Sequence, residues 1–273
     1  MIVIVFVLGL LLGSFVNALV WRLHEQATNK KDSKKLSIVN GRSMCVHCKH
    51  ELHAFDLIPV LSWVFLKGRC RYCKKSISWQ YPLVELLAAF LLSVSYLMWP
   101  HLLTGAFQYT TFAVWTVMLV IWLALGVYDL KWMLLPNRLM YPLFVVSAAF
   151  LLFYAFTSPG SWPGDLIVGG LLGSLGFGGF FYSMYMVSRG KWIGGGDVRL
   201  GFALGLVLGW QQSLLALTLA AYLGSFVILV LVIIKKYRRN MKLPFGPFLL
   251  IAAYTSFLWG PTVIDWYKTL SGL

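Results

Sequence analysis

Residues 107–128 read FQYTTFAVWTVMLVIWLALGVY, an uncharged run of 22 residues that ends against Asp129. As a helix rising about 1.5 Å per residue, such a run covers the roughly 30 Å hydrocarbon core of a bilayer. Working outward, further apolar blocks predict spans at 2–21, 82–99, 139–157, 165–187, 198–210, 213–234 and 246–260. The composition agrees: 59% of the 273 residues are hydrophobic and 12% charged, where a soluble domain carries about a quarter charged. A water-soluble reading would need a series of long helices almost free of charge. The expected fold class is therefore all-α, a polytopic transmembrane bundle of about eight spans embedded in the lipid bilayer.

The first block has no basic residue ahead of it, and its basic residues begin after it at Arg22. A cleaved signal peptide has the opposite polarity, so 1–21 is expected to stay as a first helix with its N-terminus outside. If the next segment is cytosolic, the cytosolic pieces are 22–81, 129–138, 188–200 and 235–245. They hold 22 of the 23 Lys and Arg, leaving Lys268 outside. Basic residues are retained on the cytosolic side during insertion. The net charge of +14 thus belongs to one face, where topology and anionic lipid account for it. No aromatic-interleaved basic motif points to nucleic acid.

The one sizeable polar segment, 22–81, opens with a mixed charged stretch, Glu25 to Ser43, expected to be flexible. It carries all four cysteines as Cys45-Val-His-Cys48 and Cys70-Arg-Tyr-Cys73, with 21 residues between the pairs. Two such pairs fit a zinc ribbon or knuckle in which each supplies two thiolates to a tetrahedral ion. Lys49, Arg69, Arg71 and Lys74 flank them and favour the thiolate form. Two disulfides, or cysteines with no joint role, are the alternatives, and a reducing cytosol disfavours the first. His47, His50 and His53 are available as substitute ligands but read as surface residues. Four protein ligands leave no open position for water, so Zn2+ here is expected to be structural, a clasp for an insert too small to build its own core.

Nine acidic residues allow each to be weighed. Glu25, Asp32, Glu51 and Asp56 fall in the insert and read as solvated, with Asp56 as a cap or turn residue. Glu85, in the first turn of the second span, reads as a dipole partner or a pair to a basic residue. Asp165 follows Pro163-Gly164 as a helix start signal, and Asp265 lies in an outer tail. Asp129 and Asp197 differ: 68 positions apart, they fall at the same cytosolic boundary. Carboxylates at such depth are costly when ionised and usually mark a functional path. Asp197 ends Gly194-Gly195-Gly196-Asp197, and consecutive glycines let the backbone leave the helix. Irregular backbone at membrane depth is tolerated where protein or a water-filled cavity covers it. Gly194, Gly195 and Gly196 are therefore candidates for an active-site backbone that admits water and extended substrate. The bland alternative is an ordinary loop with Asp197 as a helix cap.

Two carboxyl groups brought together cannot both ionise easily, so one holds a proton while the other is a base. Such a pair can activate water, polarise a peptide carbonyl and protonate the leaving amine. No Ser/His/Asp arrangement competes; His101, the one histidine of the membrane region, falls in an outer loop, and HExxH and Walker-type motifs are absent.

Read together, these motifs resemble the bacterial type IV prepilin peptidases, membrane aspartyl proteases with a Gly-x-Gly-Asp motif. The resemblance runs from about residue 9 to 253. It takes in Gly13-Ser14-Phe15-Val16-Asn17 and Arg22, the two CxxC pairs around Asp56-Leu-Ile-Pro-Val-Leu-Ser-Trp, and Gln80-Tyr-Pro-Leu-Val-Glu85. It continues through Asp129 with Pro136, Gly194-Gly-Gly-Asp197-Val-Arg-Leu and Pro244-Phe-Gly-Pro-Phe248. It implies that Asp129 and Asp197 are catalytic and that the substrates are prepilins or pseudopilins of pilus, secretion or DNA-uptake machinery. Their leader is cut on the cytosolic face of the bacterial cytoplasmic membrane. It further implies possible methylation of the new N-terminus with S-adenosylmethionine, a function associated with the insert region, although no separate Gly-rich methyltransferase motif is present. Val46 departs from a common Pro, and Asn137-Arg138 replaces a common acidic residue after Pro136.

The expected organisation is a first helix (1–21), an insert with two CxxC pairs (22–81), a membrane-embedded peptidase domain (82–260) and an outer tail (261–273). A proton-coupled transporter or channel using Asp129 and Asp197 as a relay is the alternative. It predicts ionisable groups spread through the membrane and often internal repeats; here they gather at one surface.

Overall fold

The computed structural model describes residues 1–28, 36–37, 41–100, 103, 105–158, 162–236, 238, 241 and 243–272. Asp32 and His101, weighed above, lie outside the described residues, as does most of the stretch expected to be flexible. Among the described residues eight α-helices follow one another: α1 (Ile2–Thr28), α2 (Leu61–Phe65), α3 (Gln80–Leu97), α4 (Ala106–Trp132), α5 (Asn137–Thr157), α6 (Pro163–Ser188), α7 (Gly195–Ile233) and α8 (Gly246–Ser271). All but α2 are long and apolar enough to cross a membrane, seven candidate spans among the described residues. The chain forms two compact units, Met1–Met98 and Trp99–Leu273.

The difference between seven helices and about eight expected spans lies in α7, 39 residues long. Gly209, at φ 70° and ψ 177°, interrupts it, a backbone geometry that suits glycine. The limb 195–208 runs antiparallel to α6: a Cβ on Gly178 would meet Phe202, one on Gly173 would meet Gly205, and Gly209 lies beside Gly169. The limb 210–233 runs antiparallel to α8, with Ser256 donating to the Gln212 carbonyl at 2.7 Å and Gly224 beside Phe248. The expected spans 198–210 and 213–234 are these two limbs, joined by a reversal with no polar loop. At the other end, residues 261–271 do not form a separate tail; they continue α8 through Pro261.

Lipid offers helices no hydrophobic reward for association, so close van der Waals packing through small residues takes over. A Cβ on Gly205 would lie 2.3 Å from the Gly173 carbonyl oxygen, and one on Gly173 would lie 2.5 Å from that of Gly205. Ser174 adds a 2.9 Å hydrogen bond to the Phe202 carbonyl. An aromatic cluster joins α4, α5 and α8. Fully buried Trp115 stacks on Phe257 at 4.1 Å and meets Phe150 at 5.6 Å.

In the first unit α1 and α3 pack antiparallel in the same manner. A Cβ on Gly9 would lie 2.4 Å from Ala89 Cα, and one on Gly13 would lie 2.6 Å from Glu85 Cα. Asn17 donates to the Tyr81 carbonyl at 3.0 Å and accepts from Gln80 at 3.3 Å. Glu25, read as solvated, turns out engaged. It sits inside α1, which runs seven residues beyond the expected end at 21, and pairs with Lys49 at 3.8 Å. Buried Arg22 donates to the Ser37 and Gly41 carbonyls at 3.0 and 2.9 Å, so the described part of the stretch expected to be flexible is held.

Candidate functional site

Asp129 lies in the last turn of α4 and is 5% exposed. Met133, left-handed at φ 52°, ends that helix by donating its N–H to the Asp129 carbonyl at 2.8 Å. Leu134, Leu135 and Pro136 then lead into α5. Asp197 stands in the first turn of α7, half-buried, its own N–H donating to the Gly194 carbonyl at 3.1 Å. A Cβ on Gly196 would come 3.1 Å from Leu135 Cβ, so the start of α7 rests on the connection that follows Asp129. Arg199 reinforces the junction through a hydrogen bond to Asn137. The structure thus packs the segment that bears Asp197 against the one that follows Asp129.

A third element closes the site. The N–H of Gly246, first residue of α8, donates to Asp129 Oδ2 at 3.2 Å. A Cβ at Gly246 would lie 2.7 Å from that oxygen, so the approach requires glycine. The free N–H groups of a helix start are natural partners for a carboxylate. Sequence reasoning noted Pro244-Phe-Gly-Pro-Phe248 without assigning it a role. A glycine between prolines where an apolar span begins was the available signal. Among the three glycines before Asp197, the structure separates roles: Gly196 is tight against Leu135, Gly195 has Tyr185 at 3.9 Å, and a Cβ on Gly194 would meet Asp197 Oδ2 at an ordinary 3.5 Å.

In the first unit the four cysteine sulfurs, from Cys45, Cys48, Cys70 and Cys73, lie within 4.8 Å of one another. Cys45 and Cys73 are 3.9 Å apart, and all four are free. A disulfide needs about 2.05 Å, whereas a tetrahedral ion with bonds of about 2.3 Å separates its sulfurs by about 3.8 Å. The donor set and spacing fit zinc. Each pair builds the same knuckle: Lys49 and Lys74, both left-handed, donate N–H groups to the Cys45 and Cys70 carbonyls at 2.9 and 3.0 Å. Within the cluster the shifts oppose each other. Burial pushes the Cys45 thiol up to about 11, while at Cys70 burial is overcome by hydrogen bonds from the Cys73 and Tyr72 backbone and the neighbouring thiols, which bring the thiol down to about 7. The second knuckle is tied to the segment between the two by Asp56. Read as solvated, its side chain is 3% exposed, accepting from Arg71 Nε at 2.7 Å and the Tyr72 hydroxyl at 3.2 Å. Burial pushes the Asp56 carboxyl up, but those hydrogen bonds and the Arg71 charge hold it below the usual carboxylate range.

Glu85 also differs from expectation. Its partner is the backbone, the Val60 N–H at 2.7 Å. Val60 sits at φ 60°, strained for a β-branched residue.

A helical membrane unit that packs two carboxylate-bearing helix ends against each other offers a candidate site for acid–base chemistry. The matches to known proteins point the same way. Residues 7–99 match the bacterial peptidase A24 N-terminal domain, and residues 116–229 match the type IV leader peptidase family. The chain is 35% identical over 283 residues to a prepilin leader peptidase/N-methyltransferase of Aeromonas hydrophila, covering 97% of this chain and 93% of that protein. A protein of the same name from Stutzerimonas stutzeri is 32% identical, over 98% of this chain and 93% of its own. A type 4 prepilin-like proteins leader peptide-processing enzyme of Escherichia coli O78:H11 is 35% identical, with coverages of 88% and 87%. No solved structure matches significantly. The chain belongs to the type IV leader peptidase family and is a multi-pass inner-membrane peptidase.

Proposed function

We propose that this chain cleaves the leader of prepilins and pseudopilins with Asp129 and Asp197 as its catalytic pair. The observation that carries the reading is the packing of the two segments that bear the aspartates, Gly196 against Leu135 and Arg199 on Asn137, with Gly246 holding Asp129. One carboxylate takes a proton from water, whose oxygen bonds to the scissile carbonyl carbon while the other carboxyl protonates the carbonyl oxygen. The C–N bond then breaks and the amine leaves with a proton returned by the pair. Gly194, exposed just before the helical Gly195 and Gly196 at the start of α7, supplies backbone accessible to an extended substrate. Lys and Arg partition supports a cytosolic active site and an external N-terminus.

Zinc held by Cys45, Cys48, Cys70 and Cys73 would clasp the insert and supply no open coordination position for chemistry. The names of the relatives support N-methylation of the new N-terminus as a second activity, with S-adenosylmethionine as methyl donor. A relay role for the aspartates in transport has less support, since Asp129 and Asp197 gather at one end of their helices.

The test is cleavage of a prepilin-like precursor in membranes by the wild type, Asp129→Asn and Asp197→Asn at matched expression. Loss of the new N-terminus in both variants is expected. Cleavage that survives either substitution removes that residue from the mechanism.

A further inference from the structure

The segment between the two knuckles leaves its apolar side chains outward. Phe55 is 76% exposed and Phe65 80%; Ile58, Leu61 and Val64 are exposed between them. Leu61, Val64 and Phe65 share one face of α2 by their spacing. Such a continuous apolar patch on a polar insert marks an interaction surface.

Two contacts set the depth of this patch against a membrane span. Val60, immediately before α2, donates to Glu85, the sixth residue of α3 and about 8 Å along that helix from its start. Trp63 of α2 packs on Trp79, the residue preceding α3, with ring centroids 4.1 Å apart. The clamp is specific enough to hold Val60 in a strained backbone conformation. The patch is therefore level with the first turns of a span, at the boundary between headgroups and acyl chains. Immediately after α2 the chain turns through left-handed Lys67 and Gly68. A cleft of about 400 Å³ follows, lined by Leu66, Lys67, Arg69, Cys70, Arg71 and Lys74. Of its four cations, Arg71 is engaged by Asp56.

We infer that residues 55–65 form an interfacial anchor that dips into the same leaflet as the start of α3, with the adjoining basic cleft binding anionic phospholipid headgroups. The occupant follows from the two chemistries side by side: apolar rings at acyl depth and cations at phosphate depth. This inference rests on α3 spanning the membrane and is independent of the peptidase reading.

Full-length protein would be spin-labelled at Phe65→Cys or at the exposed control Arg42→Cys, with unsubstituted protein labelled in parallel as background. The samples are placed in phosphatidylcholine nanodiscs with and without phosphatidylglycerol. Collision of the label with oxygen and with a water-soluble nickel chelate reads its surroundings. The Phe65 site is expected to favour oxygen and the Arg42 site nickel. Nickel access at Phe65 overturns the inference, and so does exclusion of both relaxers, which would mean a protein partner covers the patch. The triple variant Lys67→Gln, Arg69→Gln, Lys74→Gln is expected to lower retention of phosphatidylglycerol over phosphatidylcholine by about tenfold or more. Unchanged retention refutes the headgroup cleft.

Discussion

Replacing Gly246 with alanine tests the geometry of the site without touching a carboxylate. The new methyl would sit 2.7 Å from Asp129 Oδ2 and 3.4 Å from its Cγ. Since the nearest atom is the end of a short side chain, the carboxyl can turn away and the helices can stay in place. Leaving its rotamer costs about 0.5–1.5 kcal/mol, and the lost hydrogen bond from Gly246 about 1.5–3 kcal/mol. That is tolerable for folding. The displaced carboxyl is not tolerable for catalysis, because a misplacement near 1 Å costs on the order of 100-fold in rate. Gly246→Ala is therefore expected to insert and accumulate normally while cleaving a prepilin-like precursor between about 10- and 100-fold more slowly. Gly194→Ala supplies the contrast. It alters the Gly-rich motif itself, yet its Cβ meets Asp197 Oδ2 at 3.5 Å and its φ of −75° suits alanine. It should stay within about threefold of wild type, with Gly196→Ala between the two because Leu135 must give way. Initial rates in membranes at matched protein level decide the order. Wild-type activity in Gly246→Ala, or equal damage in Gly194→Ala, would refute the account.

Three further outcomes are expected. Stripping metal with a chelator should release one zinc per chain and expose four thiols to alkylation, with rapid proteolysis between α1 and α3; thiols that react fully before chelation would contradict the clasp. Gly205→Ala should fail to accumulate in membranes, because its Cβ would lie within 2.5 Å of Gly173 backbone atoms, whereas Gly176→Ala and Gly179→Ala meet nothing within 4 Å and should express as wild type. Asp56→Asn should lower the stability of the insert by about 1 kcal/mol, since Arg71 is itself half exposed. Because the Asp56 carboxyl is held below its usual range, that contribution is complete above an unfolded value of about 3.9 and is lost as pH falls through the folded value. A thermal melt at neutral pH reads it, and an unchanged midpoint would sink it.

The amino-acid sequence by itself determined what depends on local pattern and spacing. Apolar run length specifies where helices cross a bilayer, because each must satisfy its own backbone there. Two CxxC pairs mark a candidate ion site from their spacing alone, and the fold gathers their four sulfurs within 4.8 Å of one another. Isolation in charge-poor surroundings singled out Asp129 and Asp197. What depends on which surfaces meet was decided by tertiary structure alone. Gly246 reads as part of a proline-rich helix start until α8 is placed against Asp129. Glu85 reads as a dipole partner until the Val60 N–H arrives from 25 residues away. Asp56 reads as a solvated turn residue until the second knuckle folds over it. The two limbs of α7 were legible as spans, but only their antiparallel pairing with α6 and α8 shows that the chain reverses at Gly209 itself, with no loop between them. Spans are a property of the chain, whereas close approaches are a property of pairs of helices, and the sequence does not carry their distances.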